Sequence, residues 1–342
     1  MLTPPPLPRT LEASLRDLSS QKAESRAAAV VDLARHARTD DGVRGEAIRR
    51  FVACLSDDSP RVRAAASVAL GDLGASEALA PLLVAIEDSD PYVRQMAINA
   101  LGEVGDVRAA PRLARALRDA RPEVRYQAVI AFPRVARDDA EAVAKALVQA
   151  FGDPDDSVRY IALRTAEEGA LVVPPDPRLV LGAKGLIRDP ARHVAIAAAI
   201  LIAKAGEPDG HRVILDVVRG AGPRLRGPAR EDENEAILLA GALQMKEATP
   251  FLERRAWGFG RFVSDTCAWA AKTALAAMGH ARAANEITRD LGSGKRETVE
   301  AAVVAAGRAR LVRAERAIRA LGPEQADPEL VKEALLLLAM GS

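Results

Sequence analysis

Two amphipathic patterns alternate along this chain. In one, small and aliphatic residues crowd behind a Val-Arg pair, as in DDSPRVRAAASVALGDLG from Asp57, DSDPYVRQMAINALGEVG from Asp88, ARPEVRYQAVIAF from Ala120 and DPDDSVRYIALRTA from Asp153. In the other, aliphatic residues recur three and four apart, as in SEALAPLLVAIED from Ser76, VRAAPRLARALRD from Val107 and AEAVAKALVQAFGD from Ala140. Leu82, Leu83 and Ile86 then share one helix face, as do Leu113, Ala116 and Leu117. Asp or Ser before Pro opens most lines of the first kind, since a side-chain oxygen there accepts from free backbone N–H groups and Pro tolerates a first helical turn. The unit is a helical hairpin.

The hairpins repeat. Arg63, Arg94 and Arg125 fall 31 residues apart and Arg159 follows after 34, a period that belongs to stacked helical units. Second helices are predicted to begin near Ala23, Pro60, Pro91, Pro122, Asp155, Pro190, Arg230, Arg261, Lys295 and Pro328. The expected architecture is all-α, a right-handed α-solenoid of about ten hairpins. Residues 1–9 read as a disordered Pro-rich leader and 10–205 as regular repeats. Residues 206–342 read as divergent repeats and a C-terminal cap, continuous with the first part.

Asp, then Val-Arg, then an Ala-rich run closing on Leu-Gly resembles the HEAT repeat, especially the short bacterial kind first noted in phycobilin lyases. The resemblance is close from Asp57 to Ala205 and loosens afterwards. It implies that Arg26, Arg63, Arg94, Arg125 and Arg159 form a structural ladder, each reaching an acidic residue of a neighbouring unit. His193 takes the place of this arginine in the sixth unit, so packing is expected to carry more of the second half.

Composition narrows the function. With 48 basic and 47 acidic residues the net charge is +1, which supplies no general field for nucleic acid. Aromatics make up 3% and apolar residues 49%, which suits closely stacked helices with Ala at the contacts. Two cysteines, Cys54 and Cys267, imply no disulfide framework. The N-terminus MLTPPPLPRT lacks the pattern of a signal peptide, and no segment approaches the ~18 apolar residues of a membrane span. A cytoplasmic protein is expected. Pro4, Pro5, Pro6 and Pro8 also suit a polyproline segment docking on an aromatic groove.

Catalytic readings find little support. The repeated His-Glu pairs that hold iron in deoxyhypusine hydroxylase are missing, because His36, His193, His211 and His280 precede Ala, Val, Arg and Ala. No Walker loop, serine elbow or metal spacing appears. No catalytic residue, metal or cofactor is therefore assigned, and the expectation is a non-enzymatic scaffold or adaptor that binds one or more proteins. The resemblance extends this to a small GTPase or its regulator in a signalling switch. A tetrapyrrole (phycobilin) lyase-like or chaperone protein is the alternative, and nucleic-acid binding through basic turns is the third reading.

Two candidate surfaces follow. In a HEAT stack the second helices line the concave wall, and the first and fifth residues after the ladder arginine are expected to point away from the stack. These are Ala64 and Val68, Gln95 and Asn99, Tyr126 and Ile130, Tyr160 and Arg164, then Val194 and Ala198. Tyr126, Ile130, Arg134, Tyr160 and Arg164 are the candidate anchors, although the two tyrosines equally suit filling space between helices. The second surface is an edge of Gly-rich turns carrying Arg224, Arg226, Arg254, Trp257, Phe259 and Arg261. Five of the eleven aromatics fall between Phe251 and Trp269, which sets this stretch apart from the rest of the array. A small core repairing an irregular repeat would account for it as well, with Trp257 or Phe259 the better candidates for exposure.

Overall fold

In a computed structural model the chain is all-α, and residues 9–170, 176–223, 225, 227–258 and 267–340 are described. No strand occurs among them. Ten hairpins follow in order: α1 (Leu11–Asp17) with α2 (Ala23–Thr39), α3 (Asp41–Cys54) with α4 (Pro60–Asp72), α5 (Leu79–Ala85) with α6 (Pro91–Val104), α7 (Ala110–Ala116) with α8 (Pro122–Val135) and α9 (Ala140–Phe151) with α10 (Asp156–Ala170). The series continues with α11 (Pro177–Leu186) and α12 (Arg192–Lys204), α13 (His211–Arg219) and α14 (Arg230–Ala242), α15 (Thr249–Trp257) and α16 (Ala268–Ala277), α17 (Ala281–Asp290) and α18 (Arg296–Arg308), and α19 (Glu315–Arg319) and α20 (Pro328–Ala339). Contacts divide the chain into two compact units, Met1–Leu179 and Val180–Ser342, the division falling inside α11.

In the first unit the second helices pack in a row, α2 on α4, α4 on α6, α6 on α8 and α8 on α10, while each first helix packs on its own partner. Phe51, Leu33, Leu70, Leu82, Ile98 and Leu101 are fully buried between the layers. In the second unit α12, α14, α16, α18 and α20 pack in the same sequence around Ile237, Leu252, Leu275, Ile287 and Val303. Both are α-solenoid stacks. No helix among the described residues is long and apolar enough to cross a membrane.

Local chemistry sets the ends of these helices. Before α6, Asp90 accepts from the amides of Tyr92 and Val93 while Pro91 starts the helix; Gly105, at φ +69°, ends it. Ser59 does not cap α4 with its hydroxyl as the Ser-Pro pattern suggests. The carboxylate of Asp57 accepts from the Ser59 amide instead.

The two glycines of each Leu-Gly closing have separate uses. The second, Gly74 or Gly105, takes the left-handed conformation. The first lets backbones approach: a Cβ on Gly71 would meet Ala100, one on Gly102 Ala131, one on Gly241 Ala274 and one on Gly307 Ala334. Three residues after Gly241 and Gly307 the left-handed position is filled by Gln244 (φ 54°) and Arg310 (φ 52°). The Gln244 amide donates at 2.9 Å to the carbonyl of Ala277, so the side chain bonds across to α16.

Candidate functional site

The turns before the second helices of the first unit carry a continuous chain of charge-assisted bonds. Arg63 donates through Nε and Nη2 to both oxygens of Asp88 at 2.7 and 2.8 Å, while its Nη1 binds the carbonyl of Asp57 at 2.9 Å. Arg94 does the same to Asp119 and the carbonyl of Asp88, and Arg125 to Asp153 and the carbonyl of Asp119. Arg26 grips Asp57 at 2.7 Å through two nitrogens and also contacts Asp58. Arg159 Nη1 binds the carbonyl of Asp153 at 2.7 Å.

Each aspartate thus gives its carboxylate to one arginine and its carbonyl to the next. The carboxylates also accept from amides of their own turns, Asp88 from Asp90 and Asp119 from Arg121. The Arg26 bonds hold Asp57 below the usual carboxylate range. For Asp88 and Asp119 burial pushes the other way, but the bonds to Arg63 and Arg94 and to backbone amides prevail. The arginines are matched fork to fork and fix the stacking of neighbouring turns.

The second-helix row offers a different surface. Val31 and Tyr92 are 62% and 54% exposed, and beside them α2, α4 and the start of α6 enclose a groove of about 470 Å³. Ala64, Ala65, Val68 and Ala69 line it, with Arg38 and Asp72 paired at 2.8 Å at its side. Further along, Gln127 donates to Asn99 at 2.9 Å between α8 and α6. Tyr126, Ile130 and Tyr160 are half-buried. Arg134 is exposed and paired with Glu103, and Arg164 pairs with the buried Glu167.

Three residues assigned to this surface are buried. Ala64 lines the groove, but its short methyl is buried there. Val194 and Ala198 are fully buried on α12, a helix apolar on nearly every side, with every residue from Ile196 to Ala203 buried.

Residues 48–132 match the family model for HEAT repeats. This stretch is built of HEAT repeats. Among solved structures, Escherichia coli YibA resembles the chain with a TM-score of 0.56 at 17% identity, over 79% of this chain and 92% of that one. An engineered protein gives 0.45 at 16% identity, over 96% and 98%. The complex of CpcE and CpcF of phycocyanin lyase from Nostoc sp. gives 0.43 at 19%, over 74% and 96%. The YibA likeness concerns the fold alone. Comparison with the curated proteins finds no match.

In the second unit the HEAT arginine is absent, yet the glycine register persists. Counting back from Gly241 and Gly307 as Ala64 and Val68 stand before Gly71 selects Asn234 and Leu238 on α14 and Glu300 and Val304 on α18. All four line a shallow cavity of about 350 Å³ together with Trp269 and Thr273 of α16. The sequence reading missed this group because it searched for arginine; the glycines would have found it.

Trp257 does not project. It is half-buried, its Nε1 donates to Glu286 at 3.0 Å, Arg282 lies 4.1 Å from its ring centroid and His280 lies 5.3 Å away. Glu286 also pairs with Lys272 at 3.1 Å and Arg282 at 3.0 Å; burial pushes its acid up, but these bonds hold it down at about 2. Arg254 is exposed against Phe251. Arg224, Arg226, Phe259 and Arg261 lie outside the described residues. The described residues contain no cluster of His, Cys, Asp and Glu fit to hold a metal. Cys54 and Cys267 form no disulfide among the described residues, and burial followed by Asp57 pushes the Cys54 thiol up.

Proposed function

We propose that this protein is a non-enzymatic scaffold that holds one or more proteins on the second-helix row of its first unit. The observation that carries the reading is the groove beside Val31 and Tyr92: two exposed apolar side chains flank an alanine-lined hollow of about 470 Å³ on a face otherwise rich in paired charge. An exposed aromatic beside an apolar hollow is the surface on which interface energy concentrates. Tyr126 and Ile130 continue the row on α8, Tyr160 and Arg164 on α10, and Arg134 offers a charged rim. The setting is a cytoplasmic switch with a small GTPase or its regulator as partner, by analogy with other HEAT solenoids.

The test is capture from native cytoplasm with nucleotide-loaded lysates, then titration of the purified partner against three chains: wild type, Val31→Ser/Tyr92→Ala, and Tyr126→Ala/Tyr160→Ala. Loss of about tenfold or more in affinity for either variant, with helicity unchanged, supports the surface. Equal affinity for all three chains overturns it. A shift in the absorbance of phycocyanobilin on mixing with the protein would replace the scaffold reading with the tetrapyrrole one.

A further inference from the structure

In the second unit the ring of Phe251 carries two guanidinium groups, Arg219 and Arg254, each with its central carbon 5.3 Å from the ring centroid. Arg219 also lines a cavity of about 660 Å³ between α13 and the turn joining α14 to α15. Its other charged walls are Arg212 and Lys246 against one carboxylate, Glu247, and Leu215, Leu243 and Met245 supply apolar lining.

These cations differ from those of the ladder. Arg212, Lys246 and Arg254 are exposed and make no ion pair among the described residues, and Arg219 meets Asp216 only at 3.6 Å. Arg212 and Lys246, unpaired on the walls of this open hollow, outweigh Glu247 and give it a positive potential. The walls are also braced. Arg255 donates to the carbonyls of Val217 and Val218 at 2.8 Å each, tying α15 to the end of α13, while the Gln244 amide ties the turn to α16. A positive cavity on fixed elements needs little ordering when it binds.

We infer that this cavity is a docking site for an acidic segment of a partner protein, one with carboxylates on either side of an apolar residue. Arginine forks suit carboxylates, and Leu215, Leu243 and Met245 suit the apolar side chain. Nucleic acid fits less well: Glu247 stands in the wall, the Phe251 ring already carries two guanidiniums, and the chain's net charge is only +1. The site does not share residues with the first-unit groove, so either can fail without the other.

Fluorescence anisotropy on the full chain tests it, with fluorescein-labelled Glu-Asp-Leu-Glu-Asp as probe and Gln-Asn-Leu-Gln-Asn as its neutral counterpart. The acidic peptide is expected to bind, to weaken with added salt, and to lose about tenfold or more in affinity with Arg212→Glu/Lys246→Glu. The neutral peptide is expected to be weaker by a similar factor. Arg212→Gln/Lys246→Gln, which removes charge without reversing it, should fall between, and circular dichroism checks that both variants stay folded. Equal binding of the two peptides, full affinity in both variants, or no saturation by the acidic peptide at millimolar concentration overturns the proposal. Tighter, variant-sensitive binding of labelled oligothymidylate also overturns it, in favour of a nucleic-acid site.

Discussion

A Cβ on Gly71 would stand 2.7 Å from the Cα of Ala100, closer than two such atoms can approach. The α4 and α6 backbones therefore pack directly on each other. Gly71→Ala gains about 1 kcal/mol of helix propensity but forces the two helices apart, at a cost of roughly 1–3 kcal/mol. The expected net effect is destabilisation read as a lower urea midpoint. Gly102→Ala should be milder, since its Cβ would lie 3.0 Å from the Ala131 methyl and 3.2 Å from its Cα. Equal stability of Gly71→Ala and wild type would refute this account of the stacking.

Removing Arg63 leaves the Asp88 carboxylate partly buried without its one cationic partner, held only by the Asp90 amide and the Ser89 side chain. Arg63→Ala should lose about 1–3 kcal/mol, and Arg63→Lys should recover only part, because an ammonium cannot fill both oxygens in the fork geometry. A double-mutant cycle with Asp88→Ala measures the coupling. Additive losses would mean that the pair contributes no mutual stabilisation.

The ladder also gives the stability of the first unit an acid dependence. Asp57, Asp88 and Asp119 are held below the ordinary carboxylate value when folded. The unfolded chain therefore takes up protons first as pH falls. The contribution is fully present above roughly pH 5 and is lost as pH drops through about 4 and below. Urea midpoints between pH 7 and 3 should fall more steeply for wild type than for Arg63→Ala. Parallel curves would contradict the linkage.

Much of this is legible in the chain because one residue recurs. Arg63, Arg94 and Arg125 mark the period, Pro60, Pro91, Pro122 and Pro328 mark helix starts, and the structure begins its helices at those four prolines. The second unit is harder to read because its signal is the absence of a side chain: Gly241 and Gly307 keep the register where no arginine marks it, and in α12 the turn of Asp189 places Ala195, not His193, at the arginine position. Trp257 is misleading for another reason. Its partner Glu286 lies 29 residues away on another helix, and no local pattern announces such a pairing. Burial of Val194 and Ala198 likewise depends on what covers α12, which periodicity within one helix cannot show.

Arg310 occupies a left-handed position that glycine fills in the regular repeats, and no side-chain bond compensates it among the described residues. The strain of about 1–2 kcal/mol for an L-residue there is partly offset by the greater freedom of glycine in the unfolded chain. Arg310→Gly should therefore stabilise by up to about 1 kcal/mol and raise the melting temperature. Gln244→Gly at the equivalent position should gain less, since it also gives up the bond to Ala277. A larger gain at Gln244 than at Arg310 would reject this comparison.

Glu286 gathers three donors, Trp257 Nε1, Lys272 Nζ and Arg282 Nε, within 3.1 Å. Gln at this position keeps an acceptor for the indole but offers no charge to the two cations, so Glu286→Gln should lose about 1–2 kcal/mol at neutral pH, allowing for its partial exposure. The acid is held at about 2, well below its unfolded value, so its contribution is present above roughly pH 5 and fades as pH falls toward 2. The gap in melting temperature between wild type and Glu286→Gln should therefore be widest at neutral pH and shrink steadily on acidification. A gap that stays constant from pH 7 to 3 would mean that the variant acts through packing around Trp257, and that the charge on Glu286 contributes little to holding α15 against α17.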